Sequence, residues 1–317
     1  MNLQKELVKK GYSKGGVLMA GLKKRSKSDI IFDSIIGIFM VIFVIVTLYP
    51  ILNTLAVSFN DGIDTVRGGI YLWPRVFSMK NYQTVFNNQN LMQGAFISVS
   101  RTVIATVLNV FLSAMLAYIL SRKEFIFRKQ MSIFYVITMY VSGGMIPIYV
   151  LMKTLHLTNN YLVYILPGLV YVFNMIVIRT FINGLPDSLV ESAKIDGAGE
   201  FRIFVQIILP LCKPVLATVA LFVAVDQWNS WFDAMIYNSQ SIKLTTLQYE
   251  LMKLLSSAMQ QGSGAGAIDA AKNAGTMVTP KSIRAAATIV TALPIVCLYP
   301  FLQRYFVTGL TIGGVKE

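Results

Sequence analysis

Six long runs of apolar residues constrain this chain more than any other feature. They lie at about 31–59, 94–121, 131–152, 161–182, 214–237 and 283–307. A bilayer core about 30 Å thick is crossed by about 20 helical residues, because an α-helix rises about 1.5 Å per residue. Backbone polar groups cannot stay unpaired in lipid, so each run is predicted to be a helix. The sequence therefore predicts an all-α integral membrane protein with six transmembrane helices.

Composition agrees with a membrane class and argues against nucleic-acid binding. Hydrophobic residues make up 55% of the chain and charged residues only 14%, whereas a soluble domain carries about 25% charged residues. The net charge is +13, but the basic residues lie in short loops beside apolar runs and form no patch on a polar domain. We expect a basic cytoplasmic leader at 1–29 and a transmembrane domain at 30–317.

The distribution of Lys and Arg predicts the orientation of the spans. The leader, the loops after the second and fourth runs, and the tail carry about twice as many of these residues as the opposite side. Cytoplasmic loops are enriched in Lys and Arg, so both termini are predicted to be cytoplasmic. The loop at 184–213, between the fourth and fifth runs, then lies on the cytoplasmic side.

Cysteine and histidine offer no metal or redox chemistry. Cys212 is predicted at the edge of a cytoplasmic loop and Cys297 inside an apolar run, so the sequence offers no disulfide framework. His156 has no second His or Cys near it and is predicted to be a loop residue. No metal site is expected.

The loop at 184–213 is predicted to contain two short helices. Pro186 suits the first turn of a helix, with Asp187 and Glu191 near its positive end. Gly197 and Gly199 permit a sharp turn. A second apolar face then repeats at helical spacing, formed by Phe201, Phe204, Val205 and Ile208.

This loop resembles the cytoplasmic EAA loop of the binding-protein-dependent (type I) ATP-binding-cassette (ABC) importer permeases. That pattern is E-A-A, three residues, G, nine residues and I-x-L-P. The chain has Glu191-Ser192-Ala193, then Gly197, then Ile207-Ile208-Leu209-Pro210 at the same spacing. Only Ser192 departs, replacing one small residue by another. The resemblance implies a coupling helix that docks on a separate ATPase, with these ATPase-coupling residues: Glu191, Ser192, Ala193, Asp196, Gly197, Ala198, Ile207, Leu209 and Pro210.

The resemblance also implies an assembly in the bacterial cytoplasmic membrane. Its partners would be a second permease, homologous or identical, two ATPase subunits that use ATP and Mg, and an extracytoplasmic solute-binding protein. The chain itself is expected to bind no cofactor and to be no enzyme. Its nearest approach to a phosphate-binding loop, Gly16–Gly21, is followed by Leu22-Lys23 and lacks the Lys-Ser/Thr pair.

Further short motifs resemble permeases that import carbohydrates. They are Asn81-Tyr82, Ala117-Tyr118, Trp228-Asn229 and the tail Gln303–Val307. The stretches Ser142–Pro147 and Tyr299-Pro300 are similar to the subgroup that imports complex oligosaccharides, including fragments of plant or algal polysaccharides. The expected substrate is therefore a carbohydrate, and more specifically an oligosaccharide.

Polar residues inside the apolar runs indicate where a substrate would pass, because such residues are costly in lipid. Arg101 and Asp226 are predicted to share a depth and to form an ion pair. Aromatic faces and amides suit sugars, although Trp228 and Trp231 could instead belong to an interfacial aromatic belt. The predicted substrate-pathway residues are Gln227, Trp228, Asn229, Trp231, Asp233, Tyr140 and Asn174.

Two other functional classes stay open at this point. An ion-coupled secondary transporter would use intramembrane carboxylates, of which Asp226 is a candidate. A membrane-embedded enzyme of sugar metabolism would need a paired acid and base or a metal cluster.

Overall fold

The computed structural model describes residues 27–260 and 278–312, and within these ranges the chain is helical without a β-strand. Most of the basic leader, the glycine-rich run at 262–266 and the last five residues lie outside the described residues. The chain divides after Asn53 into two units. The described part of the first unit is a single helix.

The α-helices are numbered in chain order. They are α1 Lys27–Ser58, α2 Gly62–Val66, α3 Lys80–Asn87, α4 Gln89–Ser121, α5 Arg128–Tyr140, α6 Met145–Thr154, α7 Val172–Ile182, α8 Ser188–Ile195, α9 Glu200–Ile203, α10 Leu209–Leu211, α11 Lys213–Asn229, α12 Phe232–Tyr237, α13 Leu247–Gln260 and α14 Pro280–Ile312. Short 3₁₀ helices lie at Tyr161–Tyr164, Leu166–Gly168 and Ile242–Leu244, and a π-helix lies at Phe204–Ile208.

Three unbroken helical stretches are long and apolar enough to cross a membrane. They are Ile31–Ser58, Gln89–Ser121 and Pro280–Cys297. Three further candidates are pairs of helices bent at a short break: α5 with α6 by 115°, Tyr161–Gly168 with α7 by 44°, and Glu200–Leu211 with α11 by 82°. By length and composition the described residues therefore hold three spans, or up to six if each bent pair counts as one.

The breaks have identifiable causes. Gly144 adopts φ +83° between α5 and α6, a conformation that favours glycine. Pro167 lies in the 3₁₀ turn before α7. The predicted fifth run is also broken, because α11 ends at Asn229 and α12 begins at Phe232.

The core of the second unit forms around α4, which packs against α7, α11 and α13. Its best-buried apolar side chains include Ala117, Ile178, Phe204 and Val219. At Gly94 a Cβ atom would lie 3.0 Å from the backbone of Leu247. Glycine therefore permits the close approach of α4 to the start of α13.

Candidate functional site

The two short helices predicted in the loop at 184–213 are present as α8 and α9. Helix α8 ends in a Schellman motif, in which Ala198 N–H donates to Ala193 O at 2.9 Å and Gly197 N–H donates to Lys194 O at 3.0 Å. Gly197 has φ +77°, a value that costs a residue with a Cβ atom about 1–2 kcal/mol. The glycine of the motif therefore sets the sharp turn between α8 and α9.

The apolar face predicted after this turn is only partly correct. Phe204 and Ile208 are buried, but Phe201 and Val205 are exposed, and Ile203 is buried in their place. The π-helix at Phe204–Ile208 winds with about 4.4 residues per turn, as its i to i+5 hydrogen bonds require. The inward face consists of Ile203, Phe204, Ile207 and Ile208, and it is rotated away from the predicted one.

The predicted ATPase-coupling residues divide between the surface and the core. Glu191, Ser192, Asp196, Gly197 and Pro210 are exposed. Ala193 is buried, Ala198 is half-buried, and Ile207 and Leu209 pack against the core. The small Ala193 side chain packs on the chain's own helices.

Two large apolar side chains on the outer surface of this segment were not among the predicted ATPase-coupling residues. Ile195 is 86% exposed at the end of α8, and Phe201 is 66% exposed on α9. Ile195 precedes the exposed Asp196 and lies one helical turn after the exposed Glu191 on α8. The segment thus presents a mixed apolar and acidic surface, which is here called the docking surface and is defined by Glu191, Ile195, Asp196 and Phe201.

A polar network that the sequence did not reveal joins this segment to the end of α4. Lys194 Nζ lies 2.8 Å from Glu200 Oε1 and 3.1 Å from Glu124 Oε1. The Tyr118 hydroxyl donates to Glu200 Oε2 at 2.6 Å. The hydrogen bonds that the Lys194 ammonium donates to Glu200 and then to Glu124 raise the pKa of Lys194. A basic residue at the end of α8 and an acidic one at the start of α9 are the signal that could have indicated this network.

Arg101 is 1% exposed and holds a second polar cluster in the interior. Its guanidinium donates to Gln227 Oε1 at 2.8 and 3.1 Å and to the Asp233 carboxylate at 2.5 and 3.2 Å. Its Cζ lies 4.3 Å from the centre of the Tyr164 ring. Four hydrogen bonds and one aromatic contact, from Gln227, Asp233 and Tyr164, therefore fix this cation.

The predicted pairing of Arg101 with Asp226 is wrong, because the carboxylate that Arg101 contacts is that of Asp233. Neighbouring residues on a helix point about 100° apart, so Gln227 faces Arg101 while Asp226 is exposed and accepts from the Tyr171 hydroxyl at 3.4 Å. The break after Asn229 lets α12 bring Asp233 to Arg101. The prediction considered depth in the membrane and not the face of the helix.

The predicted substrate-pathway residues also separate into buried and exposed groups. Trp228 is 7% exposed and donates its indole N–H to Thr291 O at 2.9 Å, so it joins α11 to α14. Gln227 and Asn174 are buried, and Asn174 lies 3.5 Å from the Asn109 amide on α4. These three side chains take part in packing within the chain.

The remaining pathway candidates reach the surface of the chain. Asn229 is exposed and accepts from the Gln248 amide at 3.2 Å. Tyr140 is exposed at the break between α5 and α6, whereas Trp231 and Asp233 are half-buried. Asp226 shares this exposed side of α11 with Asn229, since residues three positions apart are neighbours on a helix surface.

A family profile decides the class of this chain. The profile of the binding-protein-dependent transport system inner membrane component matches residues 15–312. The chain belongs to this family. The permease is therefore a transport component in the bacterial cell membrane, and it is not an enzyme.

Relatives of the permease carry the same assignment. It is 35% identical to the polygalacturonan/rhamnogalacturonan transport system permease protein YtcP of Bacillus subtilis, over 90% of this chain and 98% of that one. It is 31% identical to the arabinooligosaccharides transport system permease protein AraQ of the same organism, over 88% and 94% of the two chains. A crystal structure of a bacterial ABC transporter that imports the acidic polysaccharide alginate matches with a TM-score of 0.82 and 26% identity, over 89% and 99%.

These comparisons confirm the resemblance to ABC importer permeases. They do not favour an ion-coupled secondary transporter or a membrane-embedded enzyme.

Proposed function

We propose that the permease forms the translocation pathway of an ATP-driven importer for an oligosaccharide derived from a plant or algal polysaccharide. The relatives named for polygalacturonan, arabinooligosaccharide and alginate transport support this substrate class. An extracytoplasmic solute-binding protein delivers the oligosaccharide to the outer side of the permease.

The proposal includes six spans with both termini in the cytoplasm. The three unbroken helical stretches and the three bent pairs support the number of spans, and the excess of Lys and Arg in the alternate loops supports the orientation. Residues 1–29 form the basic leader, and residues 30–317 form the transmembrane permease domain. The segment at 184–213 then faces the cytoplasm.

The docking surface carries the proposal of ATPase coupling. Ile195 is a large apolar side chain exposed at the end of α8, between the fourth and fifth spans, and Phe201 is exposed at the start of the bent pair that forms the fifth span. Such residues beside charged ones are typical of a protein interface. Glu191 and Asp196 add acidic groups that suit a basic rim on the partner. Helix α8 is therefore the coupling helix, and the ATPase subunit binds to the docking surface.

The exposed side of α11 carries the proposal for the pathway. A carboxylate or amide facing lipid is costly, so an exposed Asp226 and Asn229 on a membrane helix indicate a water-filled cavity or a polar partner. Amide and carboxylate oxygens form hydrogen bonds with sugar hydroxyls. Asp226, Asn229 and Tyr171 therefore line the pathway, and Trp228 supports them from behind by packing on α14.

The complete transporter contains two permease chains, two ATPase subunits and the solute-binding protein. ATP and Mg bind to the ATPase subunits. Closure of the ATPase pair moves the coupling helices, and the spans open alternately to the two sides of the membrane.

Co-purification of the ATPase with the permease tests the docking surface. Ile195→Asp and Phe201→Asp each place a charge in the apolar part of the interface, so we expect most of the bound ATPase to be lost. Lys123→Ala is the matched control, since Lys123 is exposed in the neighbouring loop and pairs with the exposed Asp187. Retention of the ATPase by both aspartate variants would exclude α8 and α9 as the contact.

A further inference from the structure

A chain of polar contacts leads from the coupling helix to a membrane-spanning helix. Lys194 on α8 contacts Glu200 on α9, and Glu200 accepts a hydrogen bond from the Tyr118 hydroxyl on α4. Lys194 also contacts Glu124 in the turn after α4. Tyr118, Glu124, Lys194 and Glu200 are here called the relay.

The relay combines a fixed end with an exposed end. Tyr118 is buried, its ring lies 5.6 Å from that of Phe204, and the Arg122 guanidinium lies 4.9 Å from its centre. These contacts hold the hydroxyl in place on α4. The side chains of Lys194, Glu200 and Glu124 are partly or largely exposed, so they can follow a movement of α8.

The relay is a second connection between the coupling segment and the spans. The first connection is the backbone itself, which passes through α9, the π-helix and α10 into α11. Because α8 precedes α9 in the chain, its movement reaches α11 along this route. The relay instead reaches α4, which packs against both α7 and α11.

We propose that Tyr118, Glu200 and Lys194 are positioning residues that transmit the movement of the coupling helix to α4 during ATP-driven transport. This inference rests on the proposed role of α8 as the coupling helix. The docking surface holds the ATPase, and the relay makes α4 move together with α8. Loss of the relay leaves the ATPase bound but reduces transport per ATP.

Tyr118→Phe is the sharpest test, because it removes one hydroxyl and keeps the ring. The partly exposed Glu200 carboxylate can bind water in its place, so no buried group is left unpaired. The complete complex is reconstituted in proteoliposomes with an equimolar mixture of labelled trigalacturonate, arabinotriose and trimannuronate as the probe. We expect transported sugar per hydrolysed ATP to fall by about tenfold, the factor that corresponds to one hydrogen bond to a charged group.

A double-mutant cycle separates transmission from general damage. Glu200→Ala breaks the same contact from the other side and lies at the surface, so the fold tolerates it. If the two residues act through one contact, the double variant transports as much sugar per ATP as the poorer single variant. Lys123→Ala, which disrupts only the exposed pair with Asp187, is expected to match the wild type.

Three results would overturn the inference. One is an unchanged ratio of sugar to ATP in both Tyr118→Phe and Glu200→Ala. Another is full additivity in the double variant. The third is loss of the ATPase subunit from Tyr118→Phe, which would assign the contact to docking. Failure of the proposed docking surface is recognised separately, because the Ile195→Asp and Phe201→Asp variants would then retain the ATPase whatever the relay variants do.

Discussion

The coupling segment and the Arg101 cluster both contain charged groups, but they hold them in opposite ways. In the coupling segment Lys194, Glu124 and Glu200 are partly or largely exposed and meet through long side chains. In the Arg101 cluster the cation is almost fully buried and contacts Gln227, Asp233 and Tyr164 at once. Exposed pairs contribute little to stability, whereas removing one member of a buried pair is costly.

The difference suits the two regions to different tasks. A surface network can break and re-form at small cost, so it can accompany a moving helix. A buried cation with several partners has one favourable arrangement, so it keeps α4, α11 and α12 in register. We therefore expect changes at Arg101 to affect assembly and changes in the coupling segment to affect the connection to the ATPase.

The largest effect is expected from Arg101→Leu. It leaves the half-buried Asp233 carboxylate without its cation, at a cost of about 3–5 kcal/mol. We expect little folded permease in the membrane and a strongly lowered thermal unfolding temperature in detergent. Lys123→Leu is the control, since Lys123 and its partner Asp187 are both exposed. Equal stability of the Arg101 and Lys123 variants would remove the contrast between buried and exposed cations.

The next effect is expected from Gly197→Val in the coupling segment. A β-branched residue at φ +77° costs about 1–2 kcal/mol or more, so the Schellman turn opens and α8 loses its orientation. We expect weakened co-purification of the ATPase with little change in thermal stability of the spans. Gly199→Ala is the matched control, because Gly199 has φ −71° and open space at its Cβ. A Gly197→Val variant that binds the ATPase normally would contradict the importance of this turn.

The coupling segment was far more predictable from sequence than the interior. Its glycine, prolines and acidic residues report local backbone geometry, and Gly197 does form the predicted turn. The inward face of α11 could not be predicted in this way, because a helix with apolar residues on all sides shows no amphipathic periodicity. Trp228 and Asn229 were therefore grouped together, although adjacent residues on a helix point about 100° apart.

The breaks in the spans explain the other errors. The sequence predicted one run at 214–237, but the break between α11 and α12 turns Asp233 back toward Arg101 and leaves Asp226 beside Tyr171. The inward face of the coupling segment likewise includes Ile203 and not Phe201. Both features depend on packing between distant segments, which spacing along the chain does not reveal.

A smaller effect on stability is expected from Trp228→Phe. The neighbouring variant Asn229→Ala is expected to change uptake instead. Trp228→Phe leaves Thr291 O without its indole donor, at a cost of about 1 kcal/mol, so we expect lower thermal stability with normal transport per folded permease. Asn229→Ala removes an exposed amide, so we expect normal stability and reduced uptake. Thermal unfolding and uptake of the labelled sugars, measured on both variants, check the contrast. The reverse pattern would place Trp228, and not Asn229, on the pathway.

The smallest effect is expected from pH within the range of about 5.5 to 9. Burial is slight here, and the pKa of Lys194 is raised above its ordinary 10.5, first by the hydrogen bond that it donates to Glu200 and then by the one to Glu124. Its contribution is therefore present below pH 10.5 and lost only as pH rises through that higher value. The pKa of Glu124 is lowered below its ordinary 4.5, first by a backbone hydrogen bond and then by the hydrogen bond with Lys194. Its contribution to stability is therefore present above pH 4.5 and lost only as the pH falls through that lower pKa.

The ratio of sugar to ATP should therefore stay flat over this range in the wild type and in Lys194→Gln, although the variant has the lower ratio. Raising the salt concentration should reduce the difference between them, because exposed charges are screened within about 10 Å at 0.1 M salt. Arg101 should be insensitive to the same change, since it is buried. A step in the wild-type profile that Lys194→Gln lacks would show that the relay titrates in this range, and the contrast between the exposed and buried clusters would then depend on proton binding as well as on burial.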